Sequence, residues 1–236
     1  MKYLSVIIPF YNEEKNIPPL FDELVPVLRR LDAPFEILCI DDGSEDNTLL
    51  ELEAQKKKYP ELVILVHKHN LGKSAAYATA FYYSKGDVIV TIDGDMQCYP
   101  EDISILLDRL KEVDAVFGVR KDRKDTLFKK IQSKLGNGFR NLMLNDHVSD
   151  MGCPIKAIKK EALREVPVFK GMHWFLPSIL KFQGYKVMEC EVRHRPRLHG
   201  KSKYGIWNRF VFLFDCLGMW WWKKRCLPKD RLRKNL

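Results

Sequence analysis

A chain of 236 residues with 46% hydrophobic and 30% charged residues has a globular composition and enough apolar content for one good-sized core, which excludes a disordered chain. Its six scattered cysteines, none in a CxxC pair, argue against a disulfide scaffold and for a reducing compartment. The net charge of +9 is uneven: residues 193–236 carry thirteen Lys/Arg against two acids, while the rest of the chain is close to neutral, so the tail is the part expected to meet anionic lipid, phosphate or nucleic acid.

The first stretch, MKYLSVIIPFYNEE, lacks a small-residue cleavage site and meets acids at once. It reads as a strand over Tyr3–Phe10 rather than a signal peptide. Residues Asn16–Leu31 place Ile17, Leu20, Leu24, Val27 and Leu31 on one helical face. Phe35–Ile40 is the second strand. A helix is expected from Ser44, capped by its hydroxyl and followed by acids, to near Tyr59 before Pro60. Leu62–Val66, Asp87–Ile92 and Ala115–Val119 read as further strands, with helices Lys73–Ser84 and Glu101–Leu110 between them. The strands are continuous apolar runs, as in a largely parallel sheet covered on both faces, and such sheets bind ligands beyond the C-terminal ends of their strands. After Val119 the spacing of Phe128, Ile131, Leu135, Phe139 and Leu142 predicts an amphipathic helix interrupted by Gly136 and Gly138. Short, less regular elements are expected up to Arg195.

Acids gather at the strand ends. Asp93 and Asp95, in TIDGDMQ, stand one residue apart after a buried run, where unpaired carboxylates are costly. With Gln97 they suit Mg²⁺ or Mn²⁺, which in turn neutralises a diphosphate. Asp41 and Asp42 close the second strand, and Asp42 is placed to accept from a base or ribose. NLGKSAA lacks the glycine that a P-loop requires, since position 67 is His; Gly72 then marks a turn into a helix N-terminus that faces phosphate. Arg120 follows the fifth strand at the same edge as a candidate anion clamp. The run RHRPRLHGKSKY brings Arg193, Arg195, Arg197, Lys201 and Lys203 together, a phosphate-binding composition. The tail run FVFLFDCLGMWWW is thirteen residues, short of the ~20 that a crossing needs. Ending in three tryptophans and KKR, it reads as an anchor on an anionic membrane surface, and this apolar character argues against nucleic acid as the partner.

Taken in order, SVIIPFYNEEKNI, EILCIDDGSEDNT, HNLGKSAAYATAF, DVIVTIDGDMQCYPED, GVR, SDMGCPIKAI and RPRLHGKSKYG resemble the family 2 glycosyltransferases, specifically the dolichyl-phosphate mannose synthase-like branch that charges polyprenyl phosphates. The resemblance implies a GT-A type α/β domain over residues 1–205, with a nucleotide-sugar half (1–120) and an acceptor half (121–205), and a membrane-associated tail over 206–236. It implies a metal-dependent inverting transfer from a UDP- or GDP-linked sugar to a dolichyl or undecaprenyl phosphate at the cytoplasmic membrane face, with peripheral or re-entrant attachment. By position, Pro9, Tyr11, Glu13, Asp42 and Gly72 would serve the nucleotide sugar. Asp93, Asp95 and Gln97 would serve the metal and diphosphate, and Arg120, Arg197, Ser202 and Lys203 the acceptor phosphate or the departing diphosphate. Two departures stand out: Gly94 replaces the alanine common between the paired acids, and GCPI stands where relatives commonly read CGF or SGF, so the pocket near Cys153 differs. A transferase acting on a glycan hydroxyl, with Asp150 as base, is the alternative. A nucleotidyltransferase would want a basic glycine-rich loop where this chain has YNEEKN, and a non-enzymatic membrane module leaves the strand-end acids without a purpose. The sequence sets no oligomeric state.

Overall fold

A computed structural model describes residues 3–121, 138–199 and 207–226. Its strands are β1 (Leu4–Phe10), β2 (Phe35–Asp41), β3 (Leu62–Val66), β4 (Val88–Thr91), β5 (Ala115–Arg120), β6 (Lys156–Lys159) and β7 (Val187–Val192). They form one sheet in the order β3-β2-β1-β4-β6-β5-β7. The helices are α1 (Ile17–Arg30), α2 (Thr48–Lys58), α3 (Lys73–Tyr83), α4 (Asp102–Arg109), α5 (Met172–Phe182) and α6 (Trp207–Lys223), with a further helical stretch over residues 138–144.

The pleat explains why the strand runs are continuously apolar. In β1, Leu4, Val6, Ile8 and Phe10 enter a core beneath α1, α2 and α4. Ile7 points the other way, into a second core with Leu38, Ile40, Ile89, Phe117 and Ile158, covered by α3, α5 and α6. Side chains alternate between faces, and both faces are buried. Two of the three prolines of α1, Pro18 and Pro19, stand in its opening positions, where no intrahelical donor is needed, and Pro26 lies inside the helix.

The sheet is mixed rather than uniformly parallel. β3, β2, β1 and β4 pair parallel, and β5 pairs parallel with β7. β6 lies between β4 and β5, antiparallel to both. This strand went unread because two of its four residues are lysines. α5 went unread because Pro177 sits inside it, where proline ordinarily breaks a helix. α2 begins at Thr48 rather than Ser44, because Ser44 is held in the preceding turn: its N–H donates to Asp41 Oδ1 (3.0 Å) and its Oγ accepts the Asn12 N–H (3.0 Å). Of the helix expected around Phe128–Leu142, residues 122–137 lie outside the described residues.

The tail is a helix docked on the second core. Phe212 stacks on Phe175 at 5.4 Å and meets Trp174 edge-on at 6.1 Å, Cys216 and Met219 are buried, and Trp222 packs against Phe182 at 6.3 Å. Val211, Leu213, Phe214, Leu217, Trp220 and Trp221 remain exposed. Among the described residues no helix is long and apolar enough to cross a membrane.

One buried ion pair ties residues 138–148 to α5. The side chains of Arg140 and Asp146 are both fully buried, with Arg140 Nε 3.3 Å from Asp146 Oδ1. Arg140 also donates to the Val148 carbonyl, and Ser178 donates its hydroxyl to Asp146 Oδ2. Removing one partner strands the other charge. Asp146→Ala should therefore lower the unfolding free energy by about 3–5 kcal/mol, read from urea denaturation. The double replacement Arg140→Leu/Asp146→Leu should recover a large part of that loss, and a single variant as stable as wild type would refute the assignment.

Candidate active site

The C-terminal ends of β1, β2 and β4 meet at one edge of the sheet, and β6, running the opposite way, begins there. Thr91 at the end of β4 pairs with Lys156 at the start of β6. Residues before β6 and after β4 therefore share one rim.

The turn after β1 carries Tyr11 and Glu13. It is locked to the turn after β2, where Asn12 Oδ1 accepts the Glu45 N–H (2.8 Å) and the Glu13 N–H donates to Thr48 Oγ1 (2.9 Å). Gly43 has φ +70°, and a Cβ there would meet the His69 backbone at 2.5 Å, so only glycine lets the turn after β2 approach the loop that follows β3. Asp42 is buried and accepts the N–H groups of Leu71 (2.9 Å) and Gly72 (2.8 Å); His67 Nδ1 lies 2.7 Å from its Oδ1. Asp42 thus brackets the loop 67–72 that leads into α3, and the Gly72 N–H points at this carboxylate. Beside it an open cleft of about 510 Å³ is lined by Tyr11, Asp41, Ser44, Leu50, His67 and Asn70, among others. Pro9 sits in β1 opposite Ile40, one residue before the strand's end.

Asp93 and Asp95 follow β4 with a cation on each. Lys73 Nζ lies 2.7 Å from Asp93 Oδ2, and Arg197 Nη2 donates to Asp95 Oδ2 at 2.8 Å. Arg197 also reaches Glu13 Oε1 at 3.2 Å, so Glu13, Asp95 and the loop after β7 meet on one guanidinium. Burial, and then the negative charge of Asp93, push the Asp95 carboxyl up to about 6 against the opposing pull of Arg197. Gly94 fits because the Phe10 ring occupies the place of an alanine methyl, with Cε1 2.5 Å from where a Cβ would stand. Two carboxylates pressed together and offset by two side-chain cations form a hard oxygen donor set that suits a divalent metal. Among the described residues no group of three His, Cys, Asp or Glu side chains that could hold a metal ion is formed. Gln97 is half-buried on the same turn, its N–H donating to Asp95 Oδ1 at 3.1 Å.

The arginines divide by role. Arg120 forms a two-bond fork with Asp150, Nε to Oδ2 and Nη2 to Oδ1, each 2.7 Å. Burial alone would lower the Arg120 pKa, but the Asp150 hydrogen bond and charge outweigh it and raise it. Arg193 and Arg195 are corrections to the expected phosphate-binding run. Arg193 donates to Asp102 (2.8 Å), Arg195 donates to Glu23 (2.6 Å), and both stack on Tyr99 at 4.5 and 4.8 Å. They fasten the loop, leaving Arg197 as the arginine of that run at the carboxylates. Ser202 and Lys203 lie outside the described residues.

Three nearby groups were not singled out from sequence: Lys73, Lys156 and His173. Lys156 is buried, donates to the Cys153 carbonyl at 2.7 Å, and is pushed down to about 8 by burial and then by the Lys73 charge. His173, at the start of α5, has Nδ1 2.8 Å from Ser74 Oγ, and burial lowers its pKa well below the ordinary value. Lys73 was visible within NLGKSAA. The other two depend on β6 and α5.

The family model for glycosyl transferase family 2 matches residues 5–167. The undecaprenyl-phosphate 4-deoxy-4-formamido-L-arabinose transferase of Aeromonas hydrophila subsp. hydrophila is 33% identical over 217 residues, covering 91% of this chain and 67% of that protein. The dodecaprenyl-phosphate galacturonate synthase of Rhizobium johnstonii is 33% identical over 224 residues, covering 92% of this chain and 66% of that one. The chain thus spans about two thirds of the length of these relatives. Among solved structures, the glucosyl-3-phosphoglycerate synthase of Mycobacterium tuberculosis, in complex with Mn²⁺, UDP and glucosyl-3-phosphoglycerate, superimposes with a TM-score of 0.67 at 17% identity over 94% of this chain and 80% of that one. A mannosyltransferase from Pyrobaculum calidifontis, in complex with GDP-mannose and Mn²⁺, gives 0.63 at 20% identity over 95% and 64%. At such identities the structures establish the fold, a GT-A-like α/β architecture. The expected likeness to the mannose-transferring branch is met at a coarser level, since the two sequence relatives are polyprenyl-phosphate enzymes named for other sugars. Carrying that family's match over more than half its length, and the paired acids at the end of β4, this chain belongs to glycosyl transferase family 2 and is a glycosyltransferase.

Proposed function

We propose that this enzyme transfers a sugar from a UDP- or GDP-linked donor to a polyprenyl phosphate, with inversion at the anomeric carbon, on the cytoplasmic face of a membrane. The observation that best supports this reading is the convergence of Asp93 and Asp95 with Lys73 and Arg197 at the rim of the sheet. A site for a diphosphate and a second phosphate must gather cations without collapsing onto its own acids, and this one holds each acid–cation pair ready to exchange partners.

The donor nucleoside is assigned to the ends of β1 and β2, against Pro9, Tyr11, Glu13 and Asp42, with Gly72 at the start of α3. Asp93 and Asp95, with Gln97 beside them, are the residues that would hold Mg²⁺ or Mn²⁺; the bound cation would neutralise the diphosphate and make it a better leaving group. Arg197 orients the acceptor phosphate, whose monoester oxygens are already ionised near neutral pH because the second pKa is ~6. Such a nucleophile needs no protein base. That favours a phosphate acceptor over a glycan hydroxyl, because Asp150, the base the alternative requires, has both oxygens committed to the Arg120 guanidinium. Arg120 and Asp150 then act as a rigid pair that shapes the acceptor side. Ser202 and Lys203 are assigned to the same phosphate.

The exposed side of α6 is assigned to the anionic membrane surface. Leu213, Phe214, Leu217, Trp220 and Trp221 share it, and Lys224 and Arg225 lie over the rings of Trp220 and Trp221 at 3.9 and 4.7 Å. Aromatic rings beside cations suit headgroup depth.

Three outcomes test the reading. Asp95→Asn should preserve the melting temperature and cut turnover about 10²–10³-fold, measured as sugar transfer to a short polyprenyl phosphate with Mg²⁺ or Mn²⁺. Near wild-type transfer would overturn the metal assignment. Arg197→Ala should raise the KM for the lipid phosphate while calorimetry shows donor affinity little changed; the reverse pattern would move Arg197 to the donor. Truncating the tail would strip a packed helix from the core, so the membrane test uses its outer side. Phe214→Ser/Leu217→Ser/Trp221→Ser should melt as wild type and lose about tenfold or more in co-sedimentation with phosphatidylglycerol vesicles. Undiminished vesicle binding by the folded triple variant would refute the anchor.

A further inference from the structure

Behind the Lys73–Asp93 pair lies a group of donors that the transfer mechanism does not use. Tyr77, fully buried on α3, forms its floor. Lys73 Nζ and Lys156 Nζ each lie 5.7 Å from the centre of the Tyr77 ring, and His173 meets the same ring edge-on at 6.4 Å.

Charge and hydrogen bonding leave this group short of an acceptor. Lys156 is 2% exposed, and its ammonium, with three N–H donors, makes one hydrogen bond, to the Cys153 carbonyl. The acids whose charge reaches it are Asp93 and Asp150, and each already faces its own cation, Lys73 or Arg120. A buried ammonium ordinarily faces a counter-charge, and this one has none in contact among the described residues. His173 points to the same need. Ser74 Oγ accepts the Gly171 N–H at 3.1 Å and lies 2.8 Å from His173 Nδ1, where its own hydroxyl proton can be given to the ring. In that tautomer the ring hydrogen sits on Nε2, which is buried and has no hydrogen-bond partner among the described residues. Lys156 from β6 and His173 from α5 thus flank one ring beside the Lys73–Asp93 pair, the first without a counter-charge in contact and the second with an unpartnered Nε2 among the described residues.

Resting on the reading above, we infer that Lys156 and His173, with Lys73 at the rim, form a subsite for a carboxylate carried by the transferred sugar, so that the preferred donor is a nucleoside diphosphate uronic acid. A carboxylate supplies both missing acceptors and the missing charge. A neutral hydroxymethyl group at the same position leaves Lys156 unneutralised. The lipid phosphate is the other anion at this site, and Arg197 already serves it from the opposite rim.

The test compares donors that differ only at C6: UDP-galacturonate with UDP-galactose, and GDP-mannuronate with GDP-mannose, by calorimetry on the full chain. The acidic member of the pair carrying the accepted nucleotide should bind about 10–100-fold tighter, the range expected for hydrogen bonds to a charged group. Lys156→Met should abolish that preference and leave the affinity for the nucleoside diphosphate alone unchanged; His173→Gln should reduce the preference in part. Equal or tighter binding of the neutral sugar to wild type would overturn the inference whatever the variants do. So would an equal loss for both sugars in Lys156→Met. A raised KM for the lipid phosphate in that variant, with sugar preference intact, would reassign the subsite to the acceptor and overturn the inference too. Failure to bind any nucleoside diphosphate would instead defeat the reading under Proposed function.

Discussion

Two carboxylates forced together at a buried strand end are the constraint around which the functional edge is organised. Burial, and then the charge of Asp93 beside it, raise the cost of ionising Asp95. Cations must come to them from elsewhere in the chain. α3 begins beneath them and supplies Lys73, while the loop after β7 crosses above them and supplies Arg197. An opposite charge brought by a ligand or metal has the same effect as these side chains, and its arrival frees them. On the proposed reading these pairs would exchange ion partners when a donor or metal binds, which suits a reaction that assembles and releases two phosphate groups.

Sheet topology determines what else reaches that edge. In a parallel sheet only the C-terminal ends of strands face the ligand. β6 runs the other way, so the segment leading into it, from Asp150 to Lys156, arrives at the same rim. This one reversal places the Arg120–Asp150 fork and the buried Lys156 beside the paired acids. β7 then runs parallel to β5 and delivers residues 193–199 to the rim as well. Arg193 and Arg195 fasten that delivery to α4 and α1, and the bridge between Cys98 and His194 holds the loop against the turn carrying Gln97.

This topology also explains what the sequence revealed and what it hid. The first half was legible because its signals are local: β3 matches the apolar run Leu62–Val66, α3 starts at the predicted Lys73, and the acids stand at the ends of apolar strands. Gly43 likewise announces its turn. The second half depends on contacts far apart in the chain. Arg193, Arg195 and Arg197 alternate identically, and only their partners, 91, 172 and 102 residues away, separate two fasteners from one site residue. Lys156 reads as a surface lysine in a short polar strand until that strand is inserted into the middle of a sheet. His173 acquires its role from Ser74, 99 residues earlier. Ser44 shows the same limit on a small scale: its helix-capping composition was right, but the hydroxyl was already bound to the turn after β1.

The tail resolves into a division of labour that composition alone does not separate. A thirteen-residue apolar run next to a basic cluster reads from composition as an interfacial anchor, with a docked core helix as its rival. α6 has one side for the core and one left exposed, because its period of 3.6 residues sorts the apolar side chains onto two sides. Phe212, Cys216, Met219 and Trp222 fix the helix to α5, and Phe214, Leu217 and Trp221 face outward. Fixing one side orients the other. Phe212 packs on Trp174, the neighbour of His173, so the beginning of α6 lies beside the catalytic rim rather than remote from it. On the proposed assignment a lipid phosphate would bring its charged end to Arg197 while its prenyl chain stays in an apolar phase, and a tethered but mobile anchor would leave that approach to chance. A helix packed against α5 instead holds the outward apolar side at a set angle to the rim, so that seating it on a bilayer would also fix how the rim is presented to the membrane.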